Sequence, residues 1–186
     1  MENKKPEELK KELFELLNNK ALKRGKFVLS SGKESSYYLD GRIITLTPKG
    51  AFLVASLILE MIKSDPPFAI GGPTLGADPI TGAIAALSYI KNQEIATFIV
   101  RKQPKEHGTQ QQIEGPEIPK GKSVILIDDV ATSGKAILEA KQALDKAGIV
   151  VRKVIVIVDR QQGASENLAK AGLKLDSIFT IADFGL

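Results

Sequence analysis

The sequence predicts an α/β fold in which a central, mostly parallel sheet is flanked by helices. Continuous apolar, largely β-branched runs at residues 124–127 and 150–158 are typical of strands buried on both faces. Between these runs, apolar residues recur at helical spacing over residues 137–147. The chain has 186 residues, which suits a single domain, residues 1–186, with a sizeable core.

The first elements are a helix and a hairpin. Residues 6–20 predict an amphipathic helix, with Pro6 at its first position and leucines along one side. The basic residues 20–26 are interpreted as the solvated end of this helix. Residues 27–42 predict two short strands around a Ser-Ser-Gly turn.

Helices and strands then alternate. Thr47 and Pro48 predict the start of a helix, and residues 68–70 predict a short strand. Residues 71–78 form a glycine-containing turn before an alanine-rich helix that runs to about residue 90. Glycines between a strand and a helix indicate either backbone that approaches a ligand or merely a tight connection.

A polar stretch follows the strand predicted at residues 94–100 and continues to residue 122. A segment of this length without periodicity is uncommon inside a compact domain and is typical of an active-site lid. Its potential cations are Arg101, Lys102, Lys105 and His107. A solvated loop is the alternative interpretation of its composition.

Residues 124–136 carry the strongest chemical signal. The buried strand is followed by Asp128 and Asp129, a small polar turn, and a helix expected to begin near Ser133. A helix N-terminus with hydroxyl donors favours a phosphate, whereas adjacent carboxylates favour vicinal hydroxyls, so the pattern indicates a ribose 5-phosphate. A Walker A loop would need glycine where Asp129 stands and Ser or Thr where Ala136 stands. The G-x-G-x-x-G of a dinucleotide fingerprint does not follow the strand.

The chain after this segment adds one further candidate. Arg160 follows the predicted strand at residues 150–158, where open α/β sheets bind ligands. Its guanidinium could hold a carboxylate through two hydrogen bonds, or form a surface ion pair with Asp159. A helix from residue 164 and a last strand at residues 174–180 complete the predicted fold.

Composition limits the class of function. No segment of the sequence approaches the length of a membrane span, no signal pattern opens the chain, and cysteine is absent. We therefore expect a cytoplasmic protein without a thiolate metal site or a membrane partner. The net charge of +4 could favour nucleic acid and equally suits a small polyanionic substrate. We do not expect nucleic acid as a partner.

Residues 124–136 resemble the phosphoribosyl pyrophosphate signature of the type I phosphoribosyltransferases. Residues 27–39, the lid pattern R-K-x-x-K-x-H-G and the triplet at Arg160 resemble the orotate phosphoribosyltransferases in particular. The resemblance covers residues 27–180. It implies the type I phosphoribosyltransferase fold with a flexible catalytic loop at about 102–122. It also implies a small hood built from about residues 1–45 and the C-terminal segment.

The resemblance implies a reaction of orotate with phosphoribosyl pyrophosphate in pyrimidine biosynthesis, giving orotidine 5′-monophosphate and pyrophosphate. The implied catalytic residues are Lys105, His107, Asp128 and Asp129. The implied contacts to phosphoribosyl pyrophosphate are Thr74, Leu75, Gly76, Arg101, Lys102, Lys105, His107, Asp128, Asp129, Val130, Ala131, Thr132, Ser133, Gly134, Lys135 and Ala136. The implied contacts to orotate are Ser31, Gly32, Tyr38, Leu39, Thr132 and Arg160.

The resemblance also implies Mg²⁺ held mainly by substrate oxygens, without a direct protein ligand. It implies a homodimer in which Arg101, Lys105 and His107 reach the neighbouring subunit's site. Many bacterial members carry lysine where Ser30 stands and a Tyr-Lys pair at the position of Leu75 and Gly76. Pyrophosphate contacts at residues 74–76 are therefore expected from the backbone.

Other functions fit parts of the pattern. A phosphoribosyltransferase for another base, such as a purine, would not need Arg160 to read a carboxylate. A regulator of the same fold would carry a DNA-binding region, and no helix-turn-helix pattern precedes residue 27. A ribose-phosphate-binding module without catalysis would not need the lid cations.

Overall fold

A six-stranded sheet with helices on both faces organises the chain. The computed structural model describes residues 4–28, 34–103 and 112–186. The strand order is β5-β4-β3-β6-β7-β8, and every pairing is parallel except that of β4 with β5. These strands are β3 (Ala69–Pro73), β4 (Ala96–Val100), β5 (Ile113–Glu114), β6 (Ser123–Ala131), β7 (Val150–Asp159) and β8 (Leu175–Thr180). The predicted α/β class and the mostly parallel sheet are confirmed.

The helices bury the two faces of the sheet separately. They are α1 (Pro6–Leu16), α2 (Arg42–Thr45), α3 (Pro48–Ile62), α4 (Asp78–Ile90), α5 (Lys135–Lys146) and α6 (Ala164–Lys170). Ile125 and Ile127 of β6 pack with α1, α3 and α4, whereas Val124 and Leu126 pack with α5 and α6. The apolar run therefore has no polar positions because both of its faces are covered.

A separate antiparallel ribbon lies at the N-terminal side, formed by β1 (Leu22–Val28) and β2 (Glu34–Leu39). The chain end packs near it, since Arg24 Nη2 donates to the Phe184 carbonyl oxygen at 2.9 Å. Phe14 of α1 stacks on Phe184 with ring centroids 4.8 Å apart. The ribbon, α1 and the C-terminal segment thus contact one another beside the main sheet.

Several element boundaries differ from the prediction. The α-helix α1 ends at Leu16 and continues as a π-helical turn over Leu17–Ala21. Lys20 lies in this turn at the end of the helix, whereas Lys23, Arg24 and Lys26 belong to β1. The interpretation of residues 20–26 as a solvated helix end was therefore wrong for those three. Helix α5 begins at Lys135 rather than near Ser133. The stretch before residue 122 was expected to be irregular, yet it contains β5, which pairs with β4. Its two residues are too few for periodicity to reveal.

Other predictions hold. Thr47 caps α3, because its side-chain oxygen accepts from the Gly50 N–H at 3.2 Å. Helix α4 ends at Ile90, as expected from the sequence.

No helix in the described ranges has the length and apolar character needed to cross a membrane.

Candidate active site

The carboxyl end of β6 opens into a cavity of about 190 Å³. It is lined by Asp128, Val130, Ala131, Thr132, Ser133, Gly134, Lys135, Ala136 and Ile137. Apart from Ile137, these are residues predicted to bind the phosphoribosyl group. Gly134 precedes α5 with a φ of 75°, a conformation that glycine adopts without strain. The turn thus leads directly into a helix N-terminus, whose free N–H groups and dipole suit a phosphate.

The acidic pair lies inside the strand rather than after it. Asp128 and Asp129 are both part of β6, which continues to Ala131. The Asp129 N–H donates to Asp128 Oδ1 at 2.9 Å, and the Val130 N–H donates to Asp129 Oδ1 at 2.8 Å. These bonds hold both carboxylates against the backbone, and Asp128 lines the cavity.

Burial raises the pKa of both carboxyl groups above the ordinary aspartate range, and the neighbouring charge of Asp129 raises the pKa of Asp128 further. At a pH between the ordinary and the raised pKa values, the folded protein therefore holds protons on these carboxyl groups that the unfolded chain would release. The resulting stabilisation is present below the ordinary aspartate pKa and is lost as the pH rises through the raised values. A substrate that donates hydroxyl hydrogen bonds, or a cation, would stabilise the charged form at neutral pH.

The turn after β3 lies against the acidic pair. The peptide bond between Thr74 and Leu75 is cis, and the Thr74 N–H donates to the Val100 carbonyl oxygen at 3.1 Å. A Cβ atom added at Gly76 would overlap Asp128 Oδ1 and lie 2.5 Å from Asp129 Oδ1. The turn and the acidic pair, far apart in sequence, therefore lie in direct contact.

This contact predicts that Gly76→Ala will lower the affinity for phosphoribosyl pyrophosphate by about tenfold, because the new methyl group must displace the Asp128 and Asp129 carboxylates. Isothermal titration of the ligand measures the change. Gly82→Ala is the matched control, since a Cβ atom there meets nothing within 4 Å. It lies inside α4 and should leave affinity unchanged while stabilising the helix by about 0.5–1 kcal/mol. Equal affinities for all three proteins would contradict this geometry.

Asp40 and Arg42 form a charged pair beside the acidic residues that the sequence did not single out. Arg42 Nε donates to Asp40 Oδ1 at 2.9 Å and Nη2 donates to Asp40 Oδ2 at 2.8 Å. The Arg42 guanidinium lowers the pKa of the Asp40 carboxyl and also acts on Asp129. Gly41 between them touches Asp129, since an added Cβ would lie 2.9 Å from its Oδ2. The loop after β2 thus closes a third side of the site.

Arg160 lies at the carboxyl end of β7, next to the cavity. The backbone N–H of Arg160 donates at 2.9 Å to the carbonyl oxygen of Ala131, a residue that lines the cavity. The residue is only 7% exposed, and its Nη2 has no hydrogen-bond partner among the described residues. The Asp159 side chain accepts from the Gln161 N–H at 2.8 Å. No carboxylate in the described ranges pairs with Arg160, so the surface ion pair considered above is not formed.

Tyr37 contacts Arg160, and the sequence analysis did not name it. Arg160 Nε donates to the Tyr37 hydroxyl at 3.0 Å, and the guanidinium lies 4.7 Å from the ring centroid. Tyr37 and Leu39 are buried on one face of β2, whereas Tyr38 is 39% exposed and its ring lies 5.9 Å from that of Phe27. Alternation along the strand could have separated the two tyrosines, because adjacent side chains point to opposite faces.

The remaining predicted residues are those that the resemblance assigns to the lid and the hood. Arg101 and Lys102 are exposed, and Arg101 Nη1 lies 3.5 Å from Glu114 Oε1 of β5. Ser31 and Gly32 of the hood, and Lys105 and His107 of the lid, fall outside the described residues. Their roles stay predictions from the resemblance.

Comparison with known proteins identifies similar chains. The family model of the phosphoribosyl transferase domain matches residues 42–186. The orotate phosphoribosyltransferase of Nostoc sp. is 45% identical over 175 residues, covering 94% of this chain and 84% of the relative. The orotate phosphoribosyltransferase of Rhodopirellula baltica is 43% identical over 180 residues, covering 94% and 93%.

Solved structures agree. The orotate phosphoribosyltransferase of Mycobacterium tuberculosis in complex with 5-phospho-alpha-D-ribosyl 1-diphosphate superposes with a TM-score of 0.80 at 34% identity, covering 96% of this chain and 99% of that chain. A phosphoribosyltransferase from Corynebacterium diphtheriae gives a TM-score of 0.82 at 36% identity with the same coverage.

Proposed function

This chain belongs to the orotate phosphoribosyltransferases within the phosphoribosyl transferase domain family, and we propose how its active site works. The enzyme transfers the 5-phosphoribosyl group from phosphoribosyl pyrophosphate to orotate, in pyrimidine biosynthesis. The products are orotidine 5′-monophosphate and pyrophosphate.

Arg160 supports orotate as the base, because its buried guanidinium has no carboxylate partner among the described residues. A buried guanidinium without a counterion is unfavourable, and a ligand carboxylate at this position would supply the missing charge and hydrogen bonds. Orotate carries a carboxylate on its ring, whereas the free purine bases carry none. Arg160 lies beside the cavity that suits the 5′-phosphate, so the base and the ribose would meet at the ends of β6 and β7.

Catalysis in this proposal is mainly positioning and charge stabilisation. The bond between ribose C1 and a pyrophosphate oxygen breaks, its electron pair leaves with pyrophosphate, and positive charge develops on the ribose ring. A ring nitrogen of orotate then forms the new bond to C1, and the proton that this nitrogen carried is released to pyrophosphate or to solvent. Asp128 and Asp129 accept hydrogen bonds from the ribose hydroxyls and lie near the developing cation, while the turn at residues 132–135 anchors the 5′-phosphate.

Mg²⁺ fits this site as a companion of the substrate. Asp78 adds negative charge close to Asp128, so the acidic side of the cleft favours a cation. Within the described ranges, no group of three or more potential ligand side chains could hold a metal ion without other donors. We therefore propose that substrate oxygens provide most of the coordination, with Asp128 and Asp129 nearby. The bound ion would offset charge on the departing pyrophosphate.

We also propose the homodimer that the resemblance implies. An apolar groove of about 510 Å³ adjoins the turn at Gly76, and its exposed members include Leu46 at 73% and Leu75 at 63%. A second copy would cover these side chains and bring its own lid cations, Arg101 among them, to the site. We further propose a cytoplasmic location, in keeping with the absence of cysteine.

The lid leads to a prediction for Lys105. The Lys105→Ala variant should lower kcat by roughly tenfold to a thousandfold, because one cation that stabilises the departing pyrophosphate is lost. The thermal unfolding midpoint should not change, since this side chain is assigned no packing role. Steady-state turnover and a thermal scan measure both quantities. Unchanged turnover would exclude this lysine from the lid's chemistry.

Competition between bases tests the assignment of orotate. The protein is given phosphoribosyl pyrophosphate, Mg²⁺ and an equimolar mixture of orotate, uracil, adenine and hypoxanthine, and the nucleotide products are separated. Orotidine 5′-monophosphate should dominate. A purine nucleotide as the main product would favour the alternative phosphoribosyltransferase. If no nucleotide formed, DNA binding at two salt concentrations would test the regulatory alternative.

A further inference from the structure

We propose that Tyr37 is a positioning residue that sets the orotate specificity of Arg160 by holding its guanidinium in one orientation. The inference rests on the proposed function, since it concerns how the same arginine reads a carboxylate. It adds to the site a residue of the β1–β2 ribbon that the sequence analysis did not single out.

The donors of the Arg160 guanidinium do not all have the same environment. Arg160 Nε donates to the Tyr37 hydroxyl at 3.0 Å, which occupies the Nε donor. The two Nη groups form the other fork of the planar guanidinium. Nη2 is buried and has no partner among the described residues. With Nε held by Tyr37, the fork left for a ligand is the one formed by the two Nη groups, which can donate to both oxygens of a carboxylate.

The aromatic ring of Tyr37 also contacts the Arg160 guanidinium. The guanidinium lies over the Tyr37 ring at 4.7 Å from the centroid, so ring and hydroxyl both act on the same cation. Arg160 is 7% exposed and Tyr37 is 6% exposed, which leaves little water to compete with either contact. An unheld arginine side chain would lose several rotamers on binding, whereas this one is already oriented.

A second hydrogen bond holds the Tyr37 hydroxyl in place. Its hydroxyl also lies 3.4 Å from Gln162 Nε2, so two residues that follow β7 donate to it. Tyr37 belongs to β2, which pairs only with β1 in the described ranges. The contact therefore fixes the ribbon to the carboxyl end of the main sheet at the point where the base would bind.

A packing role for Tyr37 makes a different prediction from a positioning role. If the tyrosine only filled space, phenylalanine would replace it with little effect on substrate affinity. If it orients Arg160, loss of the hydroxyl frees Nε to compete for the ligand and lets the side chain rotate. The consequence would fall on orotate alone, because the hydrogen bonds that the Tyr37 hydroxyl accepts come from Arg160 and Gln162, and not from the phosphate turn or the acidic pair.

The test is the steady-state kinetics of Tyr37→Phe in the full chain. The KM for orotate should rise about tenfold or more, as expected for a lost hydrogen bond to a charged group, while the KM for phosphoribosyl pyrophosphate and the unfolding temperature stay within error. The matched control is Tyr89→Phe at the exposed end of α4, where the side chain is 72% exposed. An unchanged orotate KM in Tyr37→Phe would overturn the proposal, as would a rise in both KM values.

A second variant keeps the test informative if Tyr37→Phe folds poorly. Arg160→Lys retains the charge but cannot donate to Tyr37 and also present a planar two-donor fork, so its orotate KM should also rise about tenfold. A wild-type orotate KM in Arg160→Lys would overturn the proposal. The Arg160→Ala variant distinguishes a failure of the proposed function from a failure of the role proposed for Tyr37. If it leaves orotate affinity unchanged, the proposed function fails; if it weakens orotate while Tyr37→Phe does not, only the role of Tyr37 fails.

Discussion

The Asp128→Asn and Asp129→Asn variants are each expected to lower kcat by roughly a hundredfold to a thousandfold. Each substitution removes a negative charge that lies beside the developing cation while keeping the shape of the side chain. An asparagine oxygen can still accept the backbone N–H that the carboxylate accepts now, at 2.9 Å from Asp129 to Asp128 and at 2.8 Å from Val130 to Asp129. Turnover at saturating substrates measures the loss.

The control for this pair is Asp145→Asn. Asp145 lies near the end of α5, where it forms a surface ion pair with Lys141 at 2.6 Å. An exposed pair of this kind contributes little to stability, so activity should be unchanged. Stability provides a second readout, because removal of a carboxyl group that burial disfavours should make the Asp128 or Asp129 variant at least as stable as the wild type at pH 8. Wild-type turnover in both variants would remove the acidic pair from the mechanism.

The Arg160→Ala variant is expected to raise the KM for orotate by about a hundredfold. Truncation removes the only unpaired buried cation found at the end of β7 in the described structure, and the orotate carboxylate would then be buried without a partner. The affinity for phosphoribosyl pyrophosphate should change little, since its contacts lie on the β6 turn. Initial rates over a range of orotate concentrations give the value.

Arg152→Ala is the matched control in the same strand. Arg152 lies near the start of β7, far from the carboxyl end, and pairs with Asp65 at 2.7 Å. Its loss should lower stability slightly and leave the orotate KM unchanged. If Arg152→Ala and Arg160→Ala had the same small effect on orotate, the assignment of the base would have to be abandoned.

Local sequence patterns were sufficient to predict the sheet and the phosphate turn. The run at residues 124–127 is apolar without interruption because helices cover both faces of β6, and hydrophobicity reports such burial directly. The turn at residues 132–134 carries its own chemistry and needs no distant partner to be recognised. The same pattern did not show that Asp128 and Asp129 belong to the strand, because polar residues ordinarily mark a strand's end.

Contacts between distant segments could not be predicted in this way. Gly76 lies in the turn after β3 and Asp128 lies on β6, so their close approach depends on how β3 and β6 pair. Tyr37 was passed over in favour of Tyr38 because the family resemblance marks the second aromatic position, whereas burial on the strand selects the first. Strand β5 was missed because its two residues gain their structure from pairing with β4 rather than from their own periodicity.

The activity of this chain is measured by mixing the purified protein with orotate, phosphoribosyl pyrophosphate and Mg²⁺ and following the ultraviolet absorbance of orotate. We expect the absorbance to fall only when all three are present, and to fall far more slowly with Asp129→Asn. An absorbance that stays constant with the complete mixture, while the protein is folded and binds phosphoribosyl pyrophosphate, would contradict the assignment of this chain's activity.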